Sequence, residues 1–375
     1  MDPKVMETIR PYFSEKFGNS ISSLHAYGWE AERAVEDARK EVSDTIGATP
    51  HEIFFTSGAT ESNNWVLQGL TSRLRRESAL ENKKIHIISS AIEHNSILKT
   101  LEHLKACDLI TYDLAPVNSS GTVELESIKS LILPETKLIS IMWVSNEIGS
   151  VNPIKEIGNL ARESKIYFHT DATQAIGKLP VNLAEMPIDL MSFSGHKIYA
   201  PKGVGALFIR ARQPKVQIDP LLFGGGHERA YRAGTLNVPS IVGLGQAMKL
   251  IKSEGGVEIK RMWDLKIKYL NIWWQAKLPF TLNGGNYSNQ SPHILSVTFN
   301  QNEIEPLNLQ GVAYSRGSAC QSGETSMSHV LQALKFSQEQ ANHTLRLSFG
   351  RFTTDKDFLK LTKILFEKFK INYDF

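Results

Sequence analysis

Short apolar segments alternate with helical patterns between residues 30 and 207, and this alternation restricts the fold more than any other feature. The apolar segments are Ile53–Phe55, Ile85–Ile88, Leu138–Val144, Ile166–Phe168, Leu190–Phe193 and Val204–Ile209. The helical patterns are Glu30–Ile46, Thr60–Leu74, Ile97–Lys105, Val123–Leu133 and Ile154–Ser164. Continuous apolar runs are typical of strands covered on both faces. The sequence therefore predicts an α/β fold, with a mostly parallel central sheet and helices on both of its faces.

The pattern changes after the three glycines Gly224–Gly226, where polar and basic residues follow. An apolar stretch from Ile241 then continues as a long helical pattern to about Ala276. Beyond it, the sequence predicts strands over Leu295–Phe299 and Leu345–Phe349 and an amphipathic helix over Asp355–Phe369. We therefore expect a large domain of residues 14–248 and a smaller α+β domain formed by residues 1–13 and 249–375.

Composition excludes several classes of protein. Apolar residues make up 41% of the chain and charged residues 22%, as in globular proteins, and the net charge of +3 is too small to indicate nucleic-acid binding. No apolar run reaches the roughly 18 residues of a spanning helix, and the start of the chain lacks a signal-peptide core. Two cysteines suffice neither for a disulfide framework nor for a cysteine-rich zinc site. We therefore expect a cytoplasmic protein without metal, membrane or direct nucleic-acid partners.

The loop after the first apolar strand, Thr56–Ser62, has the features of an anion site. Gly58 permits a tight turn, and Thr60 opens the following helix, whose free N–H groups and dipole favour a phosphate. A plain helix-capping loop is the alternative. The segment matches neither the nucleotide-triphosphate loop nor the dinucleotide fingerprint.

Further polar residues follow other strands, at the edge where ligands bind in open parallel sheets. His94 lies in the loop after Ile85–Ile88, and the polar cluster Ser145–Gly149 follows Leu138–Val144. Asp171 ends an apolar strand, where a carboxylate needs a cationic partner. A structural salt bridge explains Asp171 equally well.

Lys197 follows the strand Leu190–Phe193 in a turn of small residues. A lysine that is desolvated there has a lowered pKa and becomes a nucleophilic amine, whereas an exposed loop lysine is the simpler alternative. A phosphate loop, a strand-end aspartate and a strand-end lysine together are what pyridoxal phosphate needs. The three groups would hold its phosphate, its ring nitrogen and its aldehyde carbon.

Cys320 lies between small residues in Ser315–Gly323, where little apolar surface covers the thiol. Arg316 nearby favours the thiolate, which is the reactive form. This context predicts a nucleophile, although a lone cysteine is also compatible with an incidental residue. The other cysteine, Cys107, is expected to be a buried small hydrophobe.

The ordered set of motifs resembles the cysteine desulfurases, pyridoxal phosphate enzymes of the class-V aminotransferase fold. The matching segments are residues 17–19 with 22–25, Phe55–Asn63, Glu93-His94, Ser145–Gly149, Asp171–Gln174, Ser192–Lys197, Arg232–Asn237, Gly317–Cys320 and Leu345–Thr354. Each motif is weak alone, but together they extend in order along nearly the whole chain. The Gly-Ser-Ala-Cys form is similar to the housekeeping and nitrogen-fixation branch of that family.

The resemblance implies roles for residues at the cofactor. Lys197 would bind pyridoxal phosphate covalently and move the α-proton, and Asp171 would pair with the ring nitrogen. Gln174 would bond the ring oxygen, while His94 would stack on the ring and assist proton transfer. The other cofactor-binding residues would be Ala59, Thr60, Ser194 and His196, of which the last three would hold the phosphate.

The same resemblance implies partners and substrate contacts. Thr235 would reach the phosphate of a neighbouring subunit, so the enzyme would be a homodimer. Asn146 and Arg346 would bind the carboxylate of L-cysteine, the arginine through a two-pronged contact. Cys320 would attack the substrate sulfur, leaving alanine and a persulfide for an acceptor such as an iron–sulfur scaffold protein.

Two departures from the family pattern keep alternatives open. The chain begins at Met1 where members carry a further segment of the type Tyr-Leu-Asp-x-x-Ala-Thr-Thr-Pro, and residues 325–331 lack the usual proline. The alternatives are a related class-V aminotransferase or selenocysteine lyase, and a non-catalytic sulfur-relay or scaffold protein. The acceptor itself stays open among iron–sulfur scaffolds, tRNA-thiolation proteins and DNA-modifying sulfur transferases.

Overall fold

The computed structural model describes residues 1–77, 84–300, 309–315 and 327–373. The chain divides into two compact units. The first unit comprises Met1–Ala115, Leu125–Trp143 and Pro153–Gly255, and the second comprises Pro116–Glu124, Val144–Asn152 and Gly256–Phe375. Each unit has its own sheet and its own buried apolar cluster.

The first unit contains a seven-stranded sheet. Its strands are β1 (Ile53–Thr56), β2 (Ile85–Ser90), β3 (Ile110–Ala115), β4 (Thr136–Ser140), β5 (Tyr167–Asp171), β6 (Leu190–Ser194) and β7 (Gly205–Ile209), in the order β1-β7-β6-β5-β4-β2-β3. Strands β2 to β6 are parallel to their neighbours in that group, whereas β7 is antiparallel to both β6 and β1. The predicted α/β fold with a mostly parallel sheet is confirmed.

Helices accompany these strands. They are α1 (Pro3–Ile9), α2 (Ala26–Ile46), α3 (Ala59–Glu77), α4 (Asn95–Ala106), α5 (Leu125–Ser130), α6 (Ile154–Glu163) and α7 (Val238–Gln275), which continues into the second unit. All five helical patterns read from the alternation correspond to helices. The fourth of them, Val123–Leu133, is shorter in the structure, where α5 covers Leu125–Ser130. At its start, Val123 pairs with Val117 in an isolated β-bridge and is not part of the helix.

Strand β3 is missing from the prediction. It lies at the edge of the sheet and pairs only with β2 among the described strands. Its central residues, Thr111–Leu114, are exposed or half-buried, so the strand lacks the continuous apolar run that marks a covered strand. Because β3 is an edge strand, its sequence lacks the continuous apolar run from which the other strands are predicted.

The second unit is built around a three-stranded antiparallel sheet in the order β10-β9-β8. The strands are β8 (Phe280–Leu282), β9 (Ile294–Phe299) and β10 (Thr344–Ser348), and the helices are α8 (His329–Ala333), α9 (Gln338–Asn342) and α10 (Asp355–Lys368). Apolar side chains of β9, β10 and α10 pack with the C-terminal part of α7 into one core. Two of the strands and α10 coincide with the predicted elements.

The N-terminal residues belong to the first unit. Asp2 caps α1 by accepting a 2.8 Å hydrogen bond from the Lys4 N–H, and Val5 and Ile9 are buried. The division into residues 14–248, with 1–13 and 249–375 apart, stays a prediction. The compact units differ from it in the position of residues 1–13, in a boundary at Gly255, and in placing Pro116–Glu124 and Val144–Asn152 in the second unit.

None of the helices in the described residues is long and apolar enough to cross a membrane.

Candidate functional site

The carboxyl ends of six strands, β1 to β6, lie at one edge of the large sheet. Because β7 is antiparallel to both β6 and β1, strand β1 points the same way as β2, β4, β5 and β6. The loop after β1, the loop after β2 and the last residues of β5 and β6 therefore share this edge. Ligands bind at this edge in open α/β sheets.

Asp171 is the last residue of β5, and it is 6% exposed. Its carboxylate accepts 2.8 Å and 2.9 Å hydrogen bonds from the Asn63 side-chain amide and the Thr173 N–H. No ion pair of Asp171 occurs among the described residues, so this part of the chain gives no support to a structural salt bridge. A buried carboxylate held in this way presents negative charge at the sheet edge.

His94 is the residue before α4 and caps that helix. Its Nδ1 accepts a 3.1 Å hydrogen bond from the Ser96 N–H and lies 2.8 Å from Ser96 Oγ. A cavity of about 440 Å³ lies along α3 and α4. Its lining includes both His94 and Thr60, so two residues predicted for the same site border one cavity.

The residues predicted for a phosphate also come together. Gly58, with φ +151°, lies so near β6 that an added Cβ would be 3.4 Å from Ser194 Oγ. Ser194 Oγ is 2.8 Å from His196 Nδ1, and Thr60 lies in the first turn of α3. Desolvation lowers the pKa of His196, and the positive charges of Lys197 and Lys202 lower it further. Positive charge and helix N–H groups at this point suit a phosphate.

Lys197 lies in a one-turn 3-10 helix, Gly195–Ile198, directly after β6. Its side chain is exposed, so the predicted desolvation is wrong. The reason is local: Gly195 and Ile198 take the buried positions of the turn, which leaves Lys197 on the open side of the sheet edge. The half-buried Gln174 lies in the turn that follows β5.

These residues fit pyridoxal phosphate. Asn63 Oδ1 and Thr173 Oγ1, on the two residues that bond Asp171, are buried and have no hydrogen-bond partner within the described chain. Buried polar atoms of this kind indicate a missing partner. A carboxylate for a ring nitrogen, an amine for an aldehyde, and hydroxyl groups with a helix N-terminus for a phosphate occur at one edge.

Asn146 and Arg346 are brought together in the second unit. Arg346, on β10, donates a 3.0 Å hydrogen bond from Nη1 to the backbone carbonyl of Asn146. Asn146 lies in a turn closed by hydrogen bonds from Gly149 N–H to Ser145 O and from Ser145 N–H to Ser150 O. Gly149 has φ +73°, and a Cβ there would crowd Ser291 and Ile294 at 3.1 Å. Both side chains are half-buried and can face a ligand.

Thr235 is exposed on the segment after Gly224–Gly226. This segment is attached to α3 by a two-pronged ion pair, in which Arg232 Nε and Nη2 contact the two Glu61 oxygens at 2.8 Å and 3.1 Å. Glu61 follows Thr60 directly. The ion pair therefore connects the segment of Thr235 to the helix that begins at the phosphate loop.

The structure contradicts the prediction for Cys107 and does not test the one for Cys320. Cys320 lies outside the described residues. Cys107 is exposed and not buried, with its Sγ 3.7 Å from His103 Nε2. It follows the last turn of α4, so it lies beyond the buried face of that helix. Within the described residues, no group of three or more His, Cys, Asp or Glu side chains is placed to hold a metal ion.

Three buried polar residues of the site were missed by sequence reasoning. Asn63 bonds Asp171, as described above. Burial raises the pKa of Glu93 to about 8, and burial lowers the pKa of His169 to about 4. His169 is therefore a neutral ring, between Ser140 Oγ at 2.8 Å and Ser192 Oγ at 3.0 Å. Their signal in the sequence is their position: Asn63 and Glu93 belong to the matching motifs Phe55–Asn63 and Glu93-His94, and His169 lies two positions before Asp171.

Comparison with known proteins gives consistent matches. The family model for class-V aminotransferases matches residues 1–361. The chain is similar to a mitochondrial cysteine desulfurase of Arthroderma benhamiae, with 44% identity over 370 residues, 98% of this chain and 72% of that protein. A solved NifS-like protein has a TM-score of 0.87 at 33% identity, over 99% of this chain and 96% of its own. SspA in complex with cysteine has a TM-score of 0.81 at 35% identity, over 94% and 97% respectively.

Proposed function

We propose, on the premise that the chain belongs to the class-V aminotransferase family, that it removes sulfur from L-cysteine and releases L-alanine. It is a pyridoxal phosphate-dependent cysteine desulfurase, in keeping with its similarity to a named cysteine desulfurase over 98% of its length. A similar structure holds cysteine, which supports L-cysteine as the substrate. These comparisons favour neither of the alternatives, a related aminotransferase or lyase and a non-catalytic relay protein.

The observation that carries the proposal is the position of Asp171, Ser194 and Lys197 on one edge of the sheet. Pyridoxal phosphate, when bound, supplies an electron sink that stabilises a carbanion next to an amino group. Asp171 would keep the ring nitrogen protonated, because its buried carboxylate is held by two hydrogen bonds. Thr60, Ser194 and His196 would hold the phosphate, with Ala59 at the start of the same helix.

The remaining roles concern the substrate. The Lys197 amine, exposed at the sheet edge, would carry the cofactor and take the α-proton of cysteine. His94 would contact the ring and assist proton transfer, and Gln174 would bond the ring oxygen. Asn146 and Arg346 would bind the carboxylate, since the Arg346 guanidinium already contacts the Asn146 backbone.

Cys320 would receive the sulfur. Its thiolate forms a bond to the substrate sulfur while the carbon–sulfur bond breaks, so that Cys320–SH and cysteine give Cys320–S–SH and alanine. The carbon keeps the electron pair of the broken carbon–sulfur bond and takes up a proton, so the carbon is reduced as the transferred sulfur is oxidised. No external oxidant is therefore needed. A thiolate is required because it is the nucleophilic form of cysteine.

The two cysteines allow a matched test. Cys320→Ala should abolish persulfide formation and sulfide release from L-cysteine, whereas Cys107→Ser should keep the parent's rate. The measurements are alanine by amino-acid analysis and sulfide by methylene blue, with reductant present. Parental sulfide release by Cys320→Ala would refute the role of Cys320. Production of a keto acid in place of alanine would refute the desulfurase function.

A homodimer is part of the proposal. Several large apolar side chains are exposed in the first unit: Phe17 at 78%, Leu24 at 92%, Trp29 at 56% and Phe223 at 84%. Exposed apolar surface of this kind marks an interaction site. Leu24→Asp should lower the mass measured by light scattering from that of a dimer to that of a monomer, and an unchanged dimer would exclude this surface.

The acceptor is proposed to be a protein thiol, such as that of an iron–sulfur scaffold. With the persulfide labelled by 35S-cysteine, the label should move from the parent to a purified scaffold protein and should not move from Cys320→Ala. Absence of transfer would exclude this acceptor class. The cytoplasmic location stays a prediction, because a similar relative is mitochondrial.

A further inference from the structure

A continuous series of hydrogen bonds connects Asp171 to His94 through two side chains that the proposed roles do not use. Asn63 Nδ2, on α3, is 2.8 Å from Asp171 Oδ2 and 2.9 Å from Ser96 Oγ, on α4. Ser96 Oγ is in turn 2.8 Å from His94 Nδ1. Asn63 is 0% exposed and Ser96 is 8% exposed, so water does not compete strongly for these bonds.

The chemistry of each group sets the direction of every bond. A carboxylate only accepts, so Asn63 presents its NH₂ group to Asp171. The second hydrogen of that NH₂ group is directed to Ser96 Oγ, which accepts it. The Ser96 hydroxyl keeps one hydrogen, and this hydrogen is donated to His94 Nδ1.

The backbone supports the same direction at His94. The Ser96 N–H donates to His94 Nδ1 at 3.1 Å, so Nδ1 carries a lone pair and no hydrogen. The hydrogen bond at one ring nitrogen of histidine decides which nitrogen carries the proton. The proton of neutral His94 therefore lies on Nε2.

We propose that Asn63 and Ser96 are positioning residues that couple the Asp171 carboxylate to the His94 imidazole and hold His94 as the Nε2-protonated tautomer. The inference rests on the proposed desulfurase function, in which Asp171 would pair with the ring nitrogen of the cofactor and His94 would contact the same ring. The two residues would keep the donor nitrogen of His94 and the carboxylate of Asp171 in one fixed relation.

A purely structural role explains these contacts less well. Capping of α4 needs only the Ser96 N–H and His94, not a bond to a second helix. Asn63 also leaves its Oδ1 buried without a partner among the described residues. An apolar side chain of the same size would avoid this cost of burial. The hydrogen bonds from its NH₂ group to Asp171 and Ser96 therefore explain why an amide occupies this buried position.

The test compares Ser96→Ala, Ser96→Thr and Asn63→Leu with a control, Ser43→Ala. Ser43 is a fully buried serine on α2 that donates to a backbone carbonyl outside this series, at Lys40. The first measurement is 15N NMR of the imidazole rings in the cofactor-free protein, with His94 assigned by its absence in His94→Gln. The second is kcat and KM for alanine formation from L-cysteine.

We expect a protonated Nε2 in the parent and in Ser43→Ala. Ser96→Ala keeps the backbone N–H donor to His94 Nδ1 but loses the hydroxyl donor, so we expect its share of the Nε2-protonated tautomer to fall measurably below that of the parent. Both Ser96→Ala and Asn63→Leu should lower kcat roughly tenfold to hundredfold with little change in KM, because a small displacement of a catalytic group has effects of this size. Ser96→Thr, which keeps a hydroxyl, should restore the tautomer and most of kcat.

Two results would overturn the inference. The first is that Ser96→Ala keeps both the tautomer and the kcat of the parent. The second is that kcat falls as far in Ser96→Thr as in Ser96→Ala, which would indicate that a loss of packing causes the decrease. Failure of the proposed function is distinguishable, because a parent that forms no alanine leaves the NMR comparison intact. An unchanged tautomer, in contrast, leaves desulfuration by the parent intact.

Discussion

The ammonium group of Lys266 donates a 2.8 Å hydrogen bond to the backbone carbonyl of Ile294, although the lysine is 0% exposed. Its other hydrogen bonds are donated to Gln290 Oε1 at 2.8 Å and to the Ser291 carbonyl at 3.0 Å. All three acceptors are neutral, and burial lowers the pKa of Lys266 from 10.5 to about 7. A charged form of this group is therefore costly in the folded protein.

Lys266→Met is expected to change how stability depends on pH. The unfolded lysine keeps its proton up to a pKa of 10.5, whereas the folded one loses it at about 7, so the free energy of unfolding of the parent rises between these values. The slope is about 1.4 kcal/mol per pH unit. The variant lacks this contribution. Its free energy of unfolding, measured by urea titration, should therefore fall further below that of the parent as the pH rises. Lys249→Met, on the exposed face of the same helix, should show no such trend.

Glu93→Gln is expected to change the pH dependence of the free energy of unfolding in the opposite direction. Glu93 accepts hydrogen bonds from Ser90 Oγ at 2.6 Å and from the Met142 N–H at 2.8 Å, and burial raises its pKa from 4.5 to about 8. The folded state keeps a proton that the unfolded state loses, so the parent loses stability as pH rises between these values, by about 1.4 kcal/mol per unit. The free energy of unfolding of the glutamine variant should therefore increase relative to that of the parent over this pH range. An equal slope in both would contradict a buried, protonated Glu93, and the exposed Glu163→Gln is the control.

Arg346→Lys should raise KM for L-cysteine. A guanidinium binds a carboxylate through two parallel hydrogen bonds, which an ammonium group cannot reproduce. Loss of one charge-assisted bond costs about 1.5–3 kcal/mol, so KM should rise roughly tenfold to hundredfold in steady-state assays. The same change at the exposed Arg10 should leave KM unchanged. A parental KM in Arg346→Lys would remove this residue from the carboxylate site.

Borohydride reduction of the cofactor-loaded protein should attach the cofactor to Lys197. Peptide mass spectrometry should find the adduct on the peptide that contains residue 197, and Lys197→Ala should yield none. Lys202→Ala is the matched control, because Lys202 is an exposed lysine five positions further along the same sheet edge. An adduct that persists in Lys197→Ala would place the reactive amine elsewhere.

Arg232→Met should weaken the dimer. The ion pair with Glu61 is largely buried, with side chains 19% and 11% exposed, and it attaches the segment of Thr235 to α3. Its loss leaves the Glu61 carboxylate without this partner and loosens a segment proposed to reach the second subunit. Sedimentation velocity should show dissociation at higher protein concentration than in the parent. Arg33→Met, which removes the exposed pair with Asp37, should leave the dimer unchanged.

The agreement between predicted and observed elements depends on how far each element is buried. Strands β2, β4, β5 and β6 were predictable because both of their faces are covered, so their apolar runs are continuous. The edge strand β3 has an exposed pattern and was missed. Cys107 was misjudged because its residue type is usually buried, while its position after the last turn of α4 exposes it.

The sequence alone determined the α/β class, the strand ends that carry Asp171 and Ser194, and the family of the chain, because periodicity and short motifs are local properties. Tertiary structure decided the exposure of Lys197, the burial of Glu93 and Lys266, and the series Asp171–Asn63–Ser96–His94. Asn63 and Asp171 are separated by 108 positions along the chain, and no local pattern encodes a hydrogen bond over such a distance. Such partners, and the pKa values that depend on them, exist only once the helices and strands have packed.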